Sequence, residues 1–138
     1  MIKLSTLLFL QLSYALIAVG YLLLSAYRLQ VTGQALSAAP ILPAIIMFVP
    51  YCGLLLLPRV GMIKGYRFAM VVASVLMGGS GVVGNIMRYM DSGLEHYATF
   101  SAFAIAVAIN SYGTVLNIIA ALGLFKNQSQ VKRAIASS

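Results

Sequence analysis

The sequence predicts an all-α integral membrane protein: a four-transmembrane-helix bundle made of two antiparallel hairpins, with the N- and C-termini in the cytoplasm. Three observations carry this. Four long apolar stretches, about residues 4–27, 38–57, 68–90 and 97–125, take up almost the whole 138-residue chain. Each is long enough to cross, as a helix, a hydrocarbon core about 30 Å thick. Hydrophobic residues make up 62% of the chain and charged residues 8%, against roughly 25% charged in soluble domains. Lipid can cover that much apolar surface, and a soluble fold of this size cannot. Finally, the basic residues are unevenly placed. Lys3, Arg59, Lys64, Arg67, Lys126, Lys132 and Arg133 fall on one side of the spans, with only Arg28 and Arg88 on the other. The positive-inside rule puts the larger group in the cytoplasm. One membrane domain, residues 1–138, with a polar tail at 126–138, is the natural division.

The first span follows Lys3. It outruns a signal-peptide core, and no small-residue cleavage site followed by a polar start comes after it, so it reads as retained. Its polar residues Gln11, Tyr14, Tyr21, Ser25 and Arg28, with Ala18 between, recur at steps of three and four and so share one face. Gly33 and its polar neighbours end the span.

The second span is poor in polar side chains and rich in proline. Pro40 and Pro43 suit the start of a helix. Pro50, in mid-span, removes a backbone hydrogen bond, so a kink is expected there and the carbonyl near Ile46 needs another donor. Pro58, Gly61 and Gly65 separate the second span from the third.

The third span has the clearest stripe: Ser74, Gly78, Gly81, Asn85 and Arg88, broadened by Gly79 and Gly84. Ser74/Gly78 and Ser80/Gly84 are small-xxx-small pairs, which let helix backbones approach closely. The stripe reads either as tight helix packing or as one wall of a narrow polar seam. Asp91-Ser92-Gly93 is a turn. The fourth span carries Asn110, Gly113 and Asn117 on one face. An amide in hydrocarbon needs a partner, whether a helix, water or a bound solute. Three stripes pointing inward are the simplest arrangement. Tyr27, Tyr66, Tyr89 and Tyr97 fall at expected span edges, as interface anchors do. Tyr14, Tyr21, Tyr51 and Tyr112 lie deeper and need partners on other helices. After Lys126 the tail reads as frayed or weakly helical, with Lys132 and Arg133 able to rest on anionic lipid.

A shift of sixty residues lays Arg28 on Arg88, Gly33 on Gly93 and Gly53 on Gly113, a weak pattern of two parallel-oriented hairpins. Composition as biased as this produces several such matches by itself.

The residues argue against catalysis. His96 is the only histidine and Cys52 the only cysteine, so neither a metal site nor a redox pair can be assembled from one chain. The spans contain no Asp, Glu or His, which leaves no buried carboxylate relay. No cofactor is expected. The net charge of +7 lies at helix ends and shows no basic patch with interleaved aromatics, so nucleic acid is not an expected partner. The expected partners are membrane lipid and either further copies of the chain or a larger membrane protein. The expected function is transport or permeation of a small solute through a polar seam between helices, in a bacterial inner membrane. The alternative is a non-catalytic accessory, scaffold or regulatory subunit that binds a larger membrane protein.

Overall fold

The first apolar stretch forms one unbroken helix, α1, from Leu4 to Thr32. At 1.5 Å per residue it is about 44 Å long, more than a hydrocarbon core is thick. The computed structural model describes residues 1–138, except for the side chains of Gln128, Gln130 and Val131. Five further helices follow: α2 (Ile41–Leu54), α3 (Ile63–Leu76), α4 (Gly84–Ser92), α5 (Phe100–Leu122) and α6 (Gln128–Ala136). A short 3-10 turn, Leu57–Val60, joins α2 to α3. A π-helical segment, Met77–Val83, joins α3 to α4 without a break. By length and composition, four helical stretches can cross a membrane: Leu4–Thr32, Ile41–Val60, Ile63–Ser92 and Phe100–Leu122.

These stretches match the four expected spans in number and order and differ at their edges. The first is longer than its apolar run because helix hydrogen bonds continue through residues 28–32 after the hydropathy has fallen, and the third because its helix already begins at Ile63, before the apolar run. The polar tail beyond Lys126 forms a helix. Gly33, Gly61, Gly93 and Gly123 all have positive φ, and Gly33 and Gly123 cap α1 and α5 in the left-handed conformation, which costs glycine nothing. Gly33 and Gly93 thus play comparable roles at matching points of the sixty-residue shift. The π segment has no counterpart in the first half.

Two features were not legible in the spans. Ile2–Lys3 (β1) pairs in parallel with Phe125–Lys126 (β2). The expected all-α chain therefore carries a two-residue strand pair that brings the segments flanking the first and last spans together at one end of the bundle. Just outside the helices their backbone groups have no intrahelical partners, and they satisfy one another. The second feature is the π segment, MGGSGVV. Its turns are wider than α turns, so the face beyond it, at Asn85 and Arg88, is not in plain α register with Ser74.

The core is a contiguous cluster from all four spans, including Leu7, Tyr14, Leu22, Phe48, Tyr51, Tyr66, Met70, Met77, Leu116 and Phe125. Opposite faces are apolar and open: Phe9, Leu16, Val49, Phe68 and Val75 are each at least 67% exposed. A bilayer would cover such a surface, and water would not tolerate it over this extent. Arg67 closes the end that carries the termini. Its Nε donates to the Ala121 carbonyl at 3.1 Å, placing a cation at the negative end of α5. At the far end, the Leu36 amide donates to Ser25 Oγ at 2.9 Å and the Ala98 amide to the Leu36 carbonyl at 3.1 Å. The two connecting loops are thereby tied to each other and to α1.

Candidate functional site

The polar residues singled out by spacing do not form one seam. They divide into a sealed network toward the termini and an open cavity toward the far end.

The sealed part is built around two amides. Gln11 Nε2 on α1 donates to Asn117 Oδ1 on α5 at 3.0 Å and to Met70 Sδ at 3.1 Å. Gln11 Oε1 accepts from the Tyr66 hydroxyl. Asn117 Oδ1 also accepts from the Tyr51 hydroxyl at 2.8 Å, and Asn117 Nδ2 makes a long contact of 3.7 Å with Met77 Sδ. The Tyr14 hydroxyl donates to the same sulfur at 3.2 Å. Gln11, Asn117, Tyr66, Tyr14 and Met70 are all completely buried. Each amide meets protein partners through both its oxygen and its nitrogen, so each helps satisfy the other's need for a buried hydrogen-bond partner. Residues of all four helical stretches contribute to this network.

Tyr66 and Tyr97 correct the reading of span-edge tyrosines as interface anchors. Tyr66 belongs to the network. Tyr97 is 1% exposed and donates to Asn85 Oδ1 at 2.6 Å. Both sequence positions lie near the ends of apolar runs, but the rings turn inward to meet amides. Tyr27, at 65% exposed, does face outward. Tyr89 stacks on Phe103 with ring centroids 4.3 Å apart.

Above the network lies a cavity of about 330 Å³ lined by residues of all four spans and of the 33–40 loop. Tyr14, Met77 and Phe48 form its side toward the network. Tyr21, Gly81, Asn85, Arg88 and Asn110, all expected from spacing, line it. Ser37, Ser80, Pro40 and Pro43 line it as well. The Tyr21 hydroxyl is committed to the Ala102 carbonyl at 2.8 Å. Asn85 is nearly saturated: Nδ2 donates to the Gly81 carbonyl at 2.6 Å, and Oδ1 accepts from Tyr97 and, at 3.4 Å, from Arg88 Nη1. Gly81 lies in the π segment, and its missing Cβ lets Asn110 approach. A Cβ at Gly81 would sit 2.4 Å from Asn110 Oδ1. Asn110 Nδ2 donates to the Ala106 carbonyl at 2.8 Å.

The remaining expected site residues serve packing. Ser74 Oγ donates to the Met70 carbonyl in its own helix at 2.8 Å. Gly78 lets Thr114 of α5 come close, since a Cβ there would lie 3.0 Å from Thr114 Cγ2. Ser25 holds the loop at Leu36. Arg28 lies outside the cavity, and its Nε is buried without a hydrogen-bond partner. Pro50 sits inside α2, which runs on to Leu54. It lines a second, apolar groove of about 410 Å³ between α2 and α3 with Tyr51, Phe68 and Val72.

Sequence reasoning gave Tyr51 a partner on another helix, which Asn117 is, but missed Tyr66, Met70 and Met77 as network members, and Ser37 and Phe48 as cavity walls. The series Tyr66, Met70, Ala73, Met77, at steps of four, three and four, marks the inward face of α3 and was available as a signal. Ser37 lies in a loop and gave none. Among the described residues no group of three His, Cys, Asp or Glu side chains could hold a metal ion. Comparison with protein-family models, curated proteins and solved structures finds no match for this chain, so the geometry of the site is what remains to argue from.

Proposed function

We propose that this protein binds a small solute inside the membrane and carries it across, with the cavity as binding site and the Gln11–Asn117 network as the closed inner barrier. The observation that carries this reading is the cavity itself. Protein interiors pack with few voids larger than a water molecule. Here a space of about 330 Å³ persists where all four spans meet, at the lower end of ligand-pocket sizes of roughly 300–1,000 Å³. Apolar walls with a few converging polar groups are the usual make-up of a ligand site. In this reading the termini are cytoplasmic, following the charge asymmetry, and the cavity opens toward the outer face of a bacterial inner membrane. One protomer encloses little volume, so a homo-oligomer is the expected working form.

The test is solute flux into liposomes containing the purified protein. Asn85→Leu and Asn110→Leu should lower flux severalfold, and Asn127→Leu, in the tail, should leave it unchanged. Equal rates for all three variants would overturn the cavity as the path.

A second reading draws on the groove between α2 and α3. Its apolar walls suit the side of another membrane helix, as an accessory or regulatory subunit would require. Stable co-purification of one larger membrane protein, lost in Phe68→Ala, together with no flux of any tested solute, would favour it.

A further inference from the structure

We propose that the cavity takes a small amphipathic anion, one acidic head on a compact apolar body. This rests on the solute-binding reading above and names the class of solute.

The argument begins with charge. Among the described residues, Arg88 is the one charged side chain that lines the cavity; neither of the chain's two acids, Asp91 and Glu95, does so. A guanidinium has five N–H donors. The hydrogen bond recorded for Arg88 is a long one, 3.4 Å from Nη1 to Asn85 Oδ1, and that oxygen already accepts from Tyr97 at 2.6 Å. The cation is thus held in place by a weak contact, and most of its donors remain for another acceptor. Tyr97 and the Gly81 carbonyl fix the Asn85 amide, so Asn85 positions Arg88 and does not compete for the solute. Asn110 supplies a second donor. One N–H of its amide goes to Ala106, and the other has no acceptor among the described residues.

The rest of the lining is of different chemistry. Leu22, Met47, Phe48 and Ile109 are apolar, and Pro40 and Pro43 offer no backbone N–H. A cation half-buried among such walls interacts strongly with an opposite charge, because little water screens it. It repels a like charge, and a neutral solute leaves it uncompensated. A carboxylate matches the guanidinium fork in both geometry and charge. The matching solute therefore carries a single carboxylate-like head at Arg88 and an aromatic or branched aliphatic body against Phe48 and Leu22. A free carboxylate and the acidic headgroup of a lipid share this chemistry.

The test uses the full chain in phosphatidylcholine nanodiscs, with benzoate, benzamide and benzylammonium as probes and tyrosine fluorescence as readout. Benzoate should bind at least tenfold tighter than benzamide, and benzylammonium more weakly than either. Arg88→Gln should bring benzoate affinity down to that of benzamide, and Arg88→Lys should keep part of the preference, which separates loss of charge from loss of fold. Equal binding of the three probes, or full benzoate affinity in Arg88→Gln, overturns the anion assignment.

Ala44→Cys, made in a Cys52→Ser background, reports on the cavity separately, because Ala44 lines it. Its reaction with a small thiol reagent, slowed by benzoate, is the expected result. Reaction without binding of any probe overturns the anion assignment alone. No reaction and no binding overturn the solute-binding reading with it. Adding phosphatidylglycerol to the nanodiscs identifies the source of the anion: weaker benzoate binding supports an acidic lipid headgroup at Arg88, and unchanged binding supports a free solute.

Discussion

Gly113→Ala offers the sharpest test of how the bundle is packed. A Cβ at Gly113 would lie 2.2 Å from Tyr14 Cζ and 2.4 Å from both Cε atoms, well inside any van der Waals contact. Three neighbouring rings hold Tyr14 in place. Its ring is fully buried and packs edge-on against Phe48, Tyr51 and Tyr112 at centroid distances of 5.6, 5.9 and 6.4 Å. Overpacking a tight core costs about 1–3 kcal/mol, and losing an aromatic's contacts altogether costs about 3–5 kcal/mol. Because the backbone of α5 meets the ring face directly, the expected cost lies where these ranges meet, at about 3 kcal/mol. Unfolding in mixed micelles with increasing dodecyl sulfate, followed by circular dichroism, measures it. Gly20→Ala and Gly53→Ala are internal controls. Nothing lies within 4 Å of a Cβ at either position, and replacing glycine inside a helix should then stabilise by roughly 0.5–1 kcal/mol. In a Tyr14→Ala background, Gly113→Ala should cost nothing further, because the clashing ring is gone. The packing argument fails if Gly113→Ala alone lies within about 0.5 kcal/mol of the wild type, the usual range for neutral surface changes.

Three further outcomes follow from the same geometry. Gln11→Leu and Asn117→Leu should each destabilise by about 1–3 kcal/mol, because each strands the other's buried amide, and the double variant should cost clearly less than the sum in the same unfolding assay. Gly81→Ala should displace Asn110 and weaken solute binding several-fold, at a stability cost of about 1 kcal/mol; unchanged binding would count against Asn110 as a cavity group. Arg67→Met should remove both the hydrogen bond to Ala121 and the charge at the end of α5, lowering stability by about 0.5–1 kcal/mol in a salt-dependent way.

The helical architecture was legible in the sequence because twenty apolar residues in a row have few other solutions. The edges were less so. Hydropathy falls at Arg28, yet α1 continues to Thr32, since backbone hydrogen bonding does not stop where the side chains turn polar. The site was legible in part. Spacing placed Asn85, Arg88 and Asn110 on inward faces, and the cavity brings them together with Tyr21 and Gly81. Spacing could not separate Asn110 from Asn117, seven residues away on the same face. One meets a space and the other meets Gln11, and that difference depends on what the first and third spans present at each depth. The π segment was hidden for a related reason: a run of small residues reads as close packing whether its turns are α or π. Tyr66 shows the limit of depth as a guide. A tyrosine at the edge of an apolar run turns inward when a buried amide offers its hydroxyl a better partner than the interface does.

The sealed network also has a consequence for the order in which the chain is assembled. Gln11 lies on α1, and Asn117 follows it 106 residues later on α5. Tyr66 and Met70, its other partners, arrive with α3. During synthesis the Gln11 amide therefore has no partner within the chain until the third span is in place, and its donor to Asn117 waits for the fourth. The pairing of Ile2–Lys3 with Phe125–Lys126 obeys the same timetable. Closing contacts so distant in sequence is slow relative to local helix formation. An intermediate that has only α1 and α2 leaves the Gln11 amide still in need of a partner. Replacing it with leucine should make early intermediates more tolerant of lipid even as it weakens the finished bundle.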